Sequence, residues 1–384
     1  MKLTKGQRGK WGIFAAFLLF TLLLSACGSA NTGNNSPSST STASGSNGKG
    51  CHKIGISFPE TNTSYRWDNQ DKPDLINALE TQLNLPASDV LYQNANGDPT
   101  LQQTQAQSEI AQGACILVVS PNNTQSAAAI VTMAKSKGVP VISYDRMIAS
   151  KDIVAYVSFD GVAVGKLQGQ YIADHYQQYV TENGNKNIAI INGAQTDSNA
   201  LAFKTGLHDN IDPLIQSGKL TNVYEQFTDW TAPVAQQDIQ AALSKTNNKL
   251  AVAYVANDDM ANSVITALGN AHLAGKVLVT GQDASQTGIQ NIMLGKQTMT
   301  VYKNFKLEAN ATANVVQALV NGQPVSSVVK GTYTDPASNI TVPAILEQPE
   351  AVDKSNVSST ILKDGFYTKA YICKGLPAGT DGIC

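Results

Sequence analysis

From Lys53 onward, short apolar runs alternate with longer stretches whose apolar residues recur at helical spacing. KIGISF (53–58), VLYQNA (90–95), CILVVS (115–120), PVISYD (140–145) and IVAYVSFD (153–160) read as strands. DKPDLINALETQL (71–83), QQTQAQSEIAQG (102–113) and SAAAIVTMAKSKG (126–138) read as the helices between them. The strands are continuously apolar rather than alternating, which predicts a parallel sheet covered by helices on both faces.

The pattern then starts again. A helix at 161–180 leads to NIAIING (187–193), a helix through 200–218, LTNVYEQ (220–226), a helix at 233–246, LAVAYVAN (250–257), a helix at 260–271 and KVLVTGQD (276–283). A short helix at 285–295, TMTVYK (298–303) and a long helix to about Asn321 complete the second series. Two successive series predict an α/β protein with two doubly wound parallel-sheet lobes rather than one extended sheet. The tail from Val325 has few periodic helices and contains Pro336, Pro343, Pro349 and Pro377, so it is expected to wrap the surface and complete an edge, with VVKGTY (328–333) returning through the hinge.

The amino terminus has a different pattern. Lys2, Lys5, Arg8 and Lys10 precede WGIFAAFLLFTLLL, an apolar run too short for a typical spanning helix but suited to a signal peptide. It ends in Leu24-Ser25-Ala26-Cys27, which resembles the lipobox of bacterial lipoproteins and implies cleavage after residue 26 and lipid on Cys27. Membrane contact would then run through that lipid. Residues 27–50 contain one charge, no aromatic and no branched aliphatic residue, the composition of a flexible tether.

Composition narrows the partners. The chain has 27 bases and 29 acids, and the four bases lost with the signal contain no matching acid, leaving a balance of about −6. Nucleic acid has no basic surface to hold. All four His are isolated and no Cys pair has C-x-x-C spacing, so neither a metal site nor a cofactor is expected.

Ligands of parallel α/β sheets meet the carboxyl ends of the strands, and conspicuous side chains fall there. Arg66 and Trp67 follow the first strand, Asp145 and Arg146 close the fourth, and Asp197 and Asn199 follow NIAIING. Trp230 follows LTNVYEQFTD, Asn257 and Asp258 end LAVAYVAN, Asp283 ends VLVTGQD, and Lys303 ends TMTVYK. Carboxylates that accept and Arg, Lys or Asn groups that donate suit the hydroxyls of a neutral polyol, and an indole can cover the apolar face of a sugar ring. Asp145, Asn257, Asp258 and Asp283 also suit helix or turn caps, and Arg66 and Lys303 suit surface bases. Enzyme motifs are absent: there is no G-x-S-x-G elbow, phosphate loop or G-x-G-x-x-G turn. A carboxylate pair such as Asp258 and Asp283 leaves a glycoside-processing enzyme as an alternative.

Over roughly 52–369 the chain resembles the xylose-binding proteins of bacterial ABC transporters, within the type I periplasmic-binding-protein fold. VPVISYDRMI (139–148), VSFDGVAVGKLQ (157–168), LVTGQDASQTGIQNI (278–292) and TMTVYK (298–303) carry the likeness, with weaker support from QNANGD (93–98) and LKDGFY (362–367). The resemblance implies a monomeric, non-catalytic protein that binds a monosaccharide, D-xylose first, and delivers it to an ABC permease. It implies sugar contacts from Arg66, Arg146, Asp197, Asn199, Asn257, Asp283 and Lys303, with Trp230 as the stacking indole. It also implies a three-strand hinge near 158–161, 301–304 and 331–336, giving one lobe of 51–159 and 304–333 and another of 160–302 and 334–370, followed by a Cys-bracketed tail at 371–384. TNTSYRW around the Arg-Trp pair and the terminal CKGLPAGTDGIC depart from the family pattern. Glucose, arabinose and ribose stay open as ligands, and so does a sensor role that presents sugar to a membrane receptor kinase.

Cys51, Cys115, Cys373 and Cys384 form an even set in an exported chain. In the doubly wound order expected of this fold, the strands starting after Cys51 and at Cys115 are neighbours, about 4.8 Å apart, so a Cys51–Cys115 disulfide is expected. Cys373 and Cys384 bracket a Gly- and Pro-containing turn and are expected to pair with each other.

Overall fold

The computed structural model describes residues 47–384. The proposed signal peptide, Cys27 and most of the expected tether lie outside the described residues. The last tether residues are packed: Gly48 is buried, and the Gly50 amide donates to Val320 O at 2.8 Å.

The first lobe is built from β1 (Ile54–Phe58), α1 (Lys72–Leu83), β2 (Val90–Asn94), α2 (Pro99–Ala111), β3 (Ile116–Val119), α3 (Ala128–Ser136), β4 (Val141–Tyr144) and β5 (Ala155–Phe159). The second follows with α4 (Gly161–Asn183), β6 (Asn187–Asn192), α5 (Ser198–Gln216), β7 (Thr221–Phe227), α6 (Ala232–Lys245), β8 (Val252–Val255), α7 (Asp258–Asn270), β9 (Leu278–Val279), α8 (Gln286–Met293) and β10 (Met299–Tyr302). Then come α9 (Phe305–Val320), β11 (Gly331–Thr334), β12 (Thr341–Glu347), β13 (Glu350–Asp353) and the short α10 (Lys369–Ile372).

The first sheet runs β11-β12-β5-β4-β3-β1-β2, parallel except for the terminal β11. The second runs β7-β6-β8-β9, all parallel, and β10 pairs antiparallel with β13. Every residue of β1, β3, β4, β5 and β8 is buried, which accounts for their unbroken apolar character. This is the two-lobed type I architecture. Both expected disulfides are formed, with Cα separations of 5.6 Å for Cys51–Cys115 and 5.5 Å for Cys373–Cys384.

The tail departs from expectation. Gly331–Thr334 does not return through the hinge but forms the antiparallel edge of the first sheet, and β12 lies between it and β5. Residues 334–347 therefore belong to the first lobe, and the third crossover falls between Glu347 and Glu350 rather than near 331–336. The reason lies in TVPAILE: Val342 and Ala344 point inward while Thr341 and Pro343 point out, a short alternation that Pro343 disguises.

Candidate functional site

The carboxyl ends of the two sheets face each other across one cleft. Arg66, Trp67, Asp145 and Arg146 line it from the first lobe, and Asp197, Asn199, Trp230, Asn257 and Asp283 from the second, with Lys303 at the crossover. Asp258 is the one sequence-derived candidate that does not line it. As the first residue of α7, it turns away beneath the second sheet, where its carboxylate accepts from Gln297 Nε2 at 2.7 Å, Thr300 Oγ1 at 2.9 Å and the Ser285 amide at 2.8 Å. Burial, opposed by those hydrogen bonds, pushes its pKa up to about 8. Asp258 holds the α7, α8 and β10 starts together and is not a cleft residue.

Arg66 is fixed from all sides. Its Nε and Nη2 donate at 2.6 Å to the two oxygens of Asp71, its Nη1 pairs with Asp145, and Glu308 lies 3.1 Å from Nη2. The rings of Trp67 and Phe305 sit 4.8 and 4.1 Å from the guanidinium carbon. Burial lowers the Asp145 carboxyl's affinity for charge, but Arg66, Lys303 and Arg146 outweigh it and hold the pKa below the usual range. At Glu308, burial and the Asp145 charge outweigh Arg66, so its pKa lies well above the usual range. Asp145 therefore stays an anion facing the cleft, while Glu308 behind it gives up its proton less readily.

Arg146 bridges the lobes. Its Nη2 pairs with Glu60 at 2.6 Å and its Nε with Asp197 at 2.9 Å. Asp197 caps α5 by accepting from the Asn199 amide and also receives Trp230 Nε1, both at 2.9 Å. Asn199 Nδ2 in turn reaches the carbonyl and carboxylate of Asp145 at 3.1 Å. Asn257 both caps α7 through the Met260 amide and donates to Thr63 O across the cleft at 3.0 Å. Asp283 accepts from Ser64 at 2.8 Å and faces Lys303 at 3.3 Å.

Three cavity residues stand on left-handed backbone: Asp145 (φ 57°), Trp230 (φ 61°) and Asp283 (φ 93°). Such conformations cost of order 1–3 kcal/mol each in non-glycine residues and cluster at functional sites. Trp230 is accommodated because Gly193 faces it; a Cβ there would collide with the indole. The cleft is shut and crowded, with about 20 Å³ of room at its centre, space for about one water. Gln282 Oε1 is buried at its wall without a hydrogen bond, and Asp283 Oδ1 has only the ionic contact with Lys303. Such acceptors, beside the cations and amides, are what hydroxyl groups satisfy. Among the described residues, no group of His, Cys, Asp and Glu is placed to hold a metal ion.

Several participants escaped sequence reasoning. Thr63, Ser64, Phe203 and Gln282 line the cavity, and Glu60, Asp71 and Glu308 anchor its arginines. Phe203 stands one helical turn after Asn199 on α5, and Glu308 interrupts the buried Phe305–Ala309–Thr312 stripe of α9; a charge on an apolar stripe was the available signal.

A profile of the periplasmic binding protein domain matches residues 54–324. The chain belongs to the periplasmic binding protein family. It is 35% identical over 321 residues to the D-xylose-binding periplasmic protein of Haemophilus influenzae, covering 83% of this chain and 92% of that one. The corresponding protein of Escherichia coli is 34% identical, with the same coverage. Among solved structures, a carbohydrate transporter solute-binding protein of Chloroflexus aurantiacus in complex with D-glucose aligns with a TM-score of 0.71 and 27% identity, over 83% of this chain and 97% of that one. This is a binding protein and not an enzyme, so the cleft carboxylates are read as hydrogen-bond acceptors rather than as an acid–base pair.

Proposed function

We propose that this binding protein is an extracytoplasmic lipoprotein that reversibly binds D-xylose or a similar monosaccharide, closes its lobes on it, and delivers it to the permease of an ABC transporter. The observation that carries the reading is the convergence of anionic acceptors and fixed cationic and amide donors from both lobes on one closed cavity walled by Trp230 and Phe203.

The chemistry follows from those groups. Asp145 and Asp283 accept from sugar hydroxyls, while Arg66, Arg146, Asn199, Asn257 and Lys303 donate to them. Hydroxyls entering the crowded cavity displace the Lys303 ammonium from contacts of 3.6 Å to Asp145 and 3.3 Å to Asp283. Because donors and acceptors come from both lobes, neither lobe alone satisfies the ligand, and sugar favours the closed state. The names of the two relatives make D-xylose the first candidate.

Titration calorimetry of ligand-free protein against pentoses and hexoses tests the reading, and an affinity for xylose that exceeds the others supports the D-xylose assignment. No heat with any sugar from folded protein overturns it. The lipid on Cys27 is tested by metabolic labelling with a fatty-acid analogue, which should mark the wild type and not Cys27→Ser.

A further inference from the structure

The loop that carries Ser64 and Arg66 into the cavity is also held from outside it. The Tyr65 hydroxyl lies 2.6 Å from the hydroxyl of Tyr371, and the Tyr65 amide donates to Asp259 Oδ2 at 2.7 Å. Tyr65 belongs to the first lobe, whereas Asp259 and Tyr371 belong to the second. Burial, and then the Tyr371 hydroxyl, push the Tyr65 phenol above its ordinary pKa, so it stays protonated.

Tyr371 is firmly part of the second lobe. Gln286 of α8 donates to Tyr371 O at 2.6 Å, and Gln290 donates to Ile372 O at 2.9 Å and to Lys374 O at 3.0 Å. The Tyr371 ring packs 5.1 Å from that of Tyr367, which is buried in the core that α8 and the tail share. Helix α10 has four residues, too few to hold its shape unaided. The Cys373–Cys384 bond begins one residue after it and closes the end of the chain back on itself.

We infer that the disulfide-closed tail is a latch: Tyr371, a positioning residue, engages Tyr65 only when the lobes meet and so prolongs the bound state. The inference rests on the proposed closure of the cleft on a sugar. Tyr371 does not line the cavity, so it acts on how long any ligand stays rather than on which ligand is chosen. An open cleft can be entered without the contact, so the association rate is left alone, whereas opening must break it.

Stopped-flow measurements with D-xylose and a panel of monosaccharides, on wild type, Tyr65→Phe, Tyr371→Phe and the double variant, test the latch. The dissociation rate should rise about 2- to 10-fold in each single variant, the loss expected of one half-buried hydrogen bond. The double variant should rise no further, because both hydroxyls serve one contact. Association rates, the order of preference among sugars and the melting temperature of free protein should stay put. The Cys373→Ser/Cys384→Ser variant should also dissociate faster, by no more than Tyr371→Phe. An unchanged dissociation rate in Tyr371→Phe, or single effects that multiply in the double variant, overturns the latch. If no sugar binds the wild type, the proposed function fails and takes the latch with it. If sugar binds, hydrogen exchange at the Tyr65 amide of sugar-saturated protein is a second readout: Tyr371→Phe should speed it there and leave it alone in free protein, and equal exchange in the two saturated proteins overturns the latch alone.

Discussion

Arg146 Nε lies 2.9 Å from Asp197 Oδ2, joining the residue pair after β4 in one lobe to the cap of α5 in the other. Both side chains are almost fully buried, and each has a partner within its own lobe, Glu60 for Arg146 and Trp230 for Asp197. Each side chain is therefore positioned by its own lobe as well as by the pair.

That positioning makes Arg146 sensitive to shape as well as charge. Arg146→Ala should weaken sugar binding by roughly 1–3 kcal/mol, about 5- to 150-fold. Arg146→Lys should recover little of it, because one ammonium cannot face Glu60 and Asp197 in the geometry of the guanidinium fork. Calorimetry on both variants decides; full recovery by lysine would mean that charge alone matters at this position.

How much of this site the sequence displayed depends on which backbone carries each residue. Asp145, Asn257 and Asp283 were legible because each follows a continuous apolar strand, and in parallel sheets those ends face ligands. Asp258 sits next to Asn257, yet the first turn of α7 sends its side chain beneath the sheet toward Gln297 and Thr300. One residue along a helix is about 100° of rotation, and a pattern of strand ends carries no such angle. Glu60, Asp71 and Glu308 were hidden for another reason: they touch the arginines rather than the cavity, and only tertiary packing brings Asp71 and Glu308 to the same guanidinium. The course of β12 was likewise obscured, because its short alternation contains a proline.

Trp230 offers a test that leaves the indole itself in place. Its left-handed backbone and its seat against Gly193 fix where the ring lies. Gly193→Ala puts a methyl group into the ring's position, so the indole must swing and its bond to Asp197 must lengthen. Sugar affinity should fall about 10-fold or more, approaching the loss in Trp230→Ala, and the tryptophan fluorescence change on sugar addition should shrink. Wild-type affinity in Gly193→Ala would show that the indole position is not a determinant of binding.

Glu109 gives the fold a pH dependence separate from the cleft. It lies buried between α2 and β1, with neither carboxylate oxygen hydrogen-bonded and Gly55 leaving room for it. Burial pushes its pKa from 4.5 up to about 8. Between those values the unfolded chain releases this proton while the folded chain keeps it, so its contribution to stability falls as pH rises, by up to about 1.4 kcal/mol per unit, and levels off above about 8. Glu109→Gln removes that slope. Urea unfolding at pH 5 and 7.5 should show the variant gaining on the wild type at the higher pH; a constant difference would place the carboxyl in contact with water.

The Cys51–Cys115 bond should matter to stability and not to recognition. Cys51 precedes β1 and Cys115 precedes β3, and the two strands are parallel neighbours. Both cysteines therefore lie at the amino ends of the sheet, while the cavity lies at the carboxyl ends. The bond closes a span of 64 residues holding β1, α1, β2 and α2. In the chain-entropy account, restraining a loop of that length in the unfolded state is worth about 4 kcal/mol, and measured values for such bonds are often nearer 2. Cys51→Ala/Cys115→Ala should accordingly unfold about 2–4 kcal/mol more easily in urea, while its sugar affinity at 25 °C stays within about twofold of wild type. The second measurement carries the argument: a large affinity loss in a variant still folded would mean that the amino ends of β1 and β3 set the position of the Arg66 loop through the length of the sheet, and that the first lobe is not a rigid platform for its half of the site.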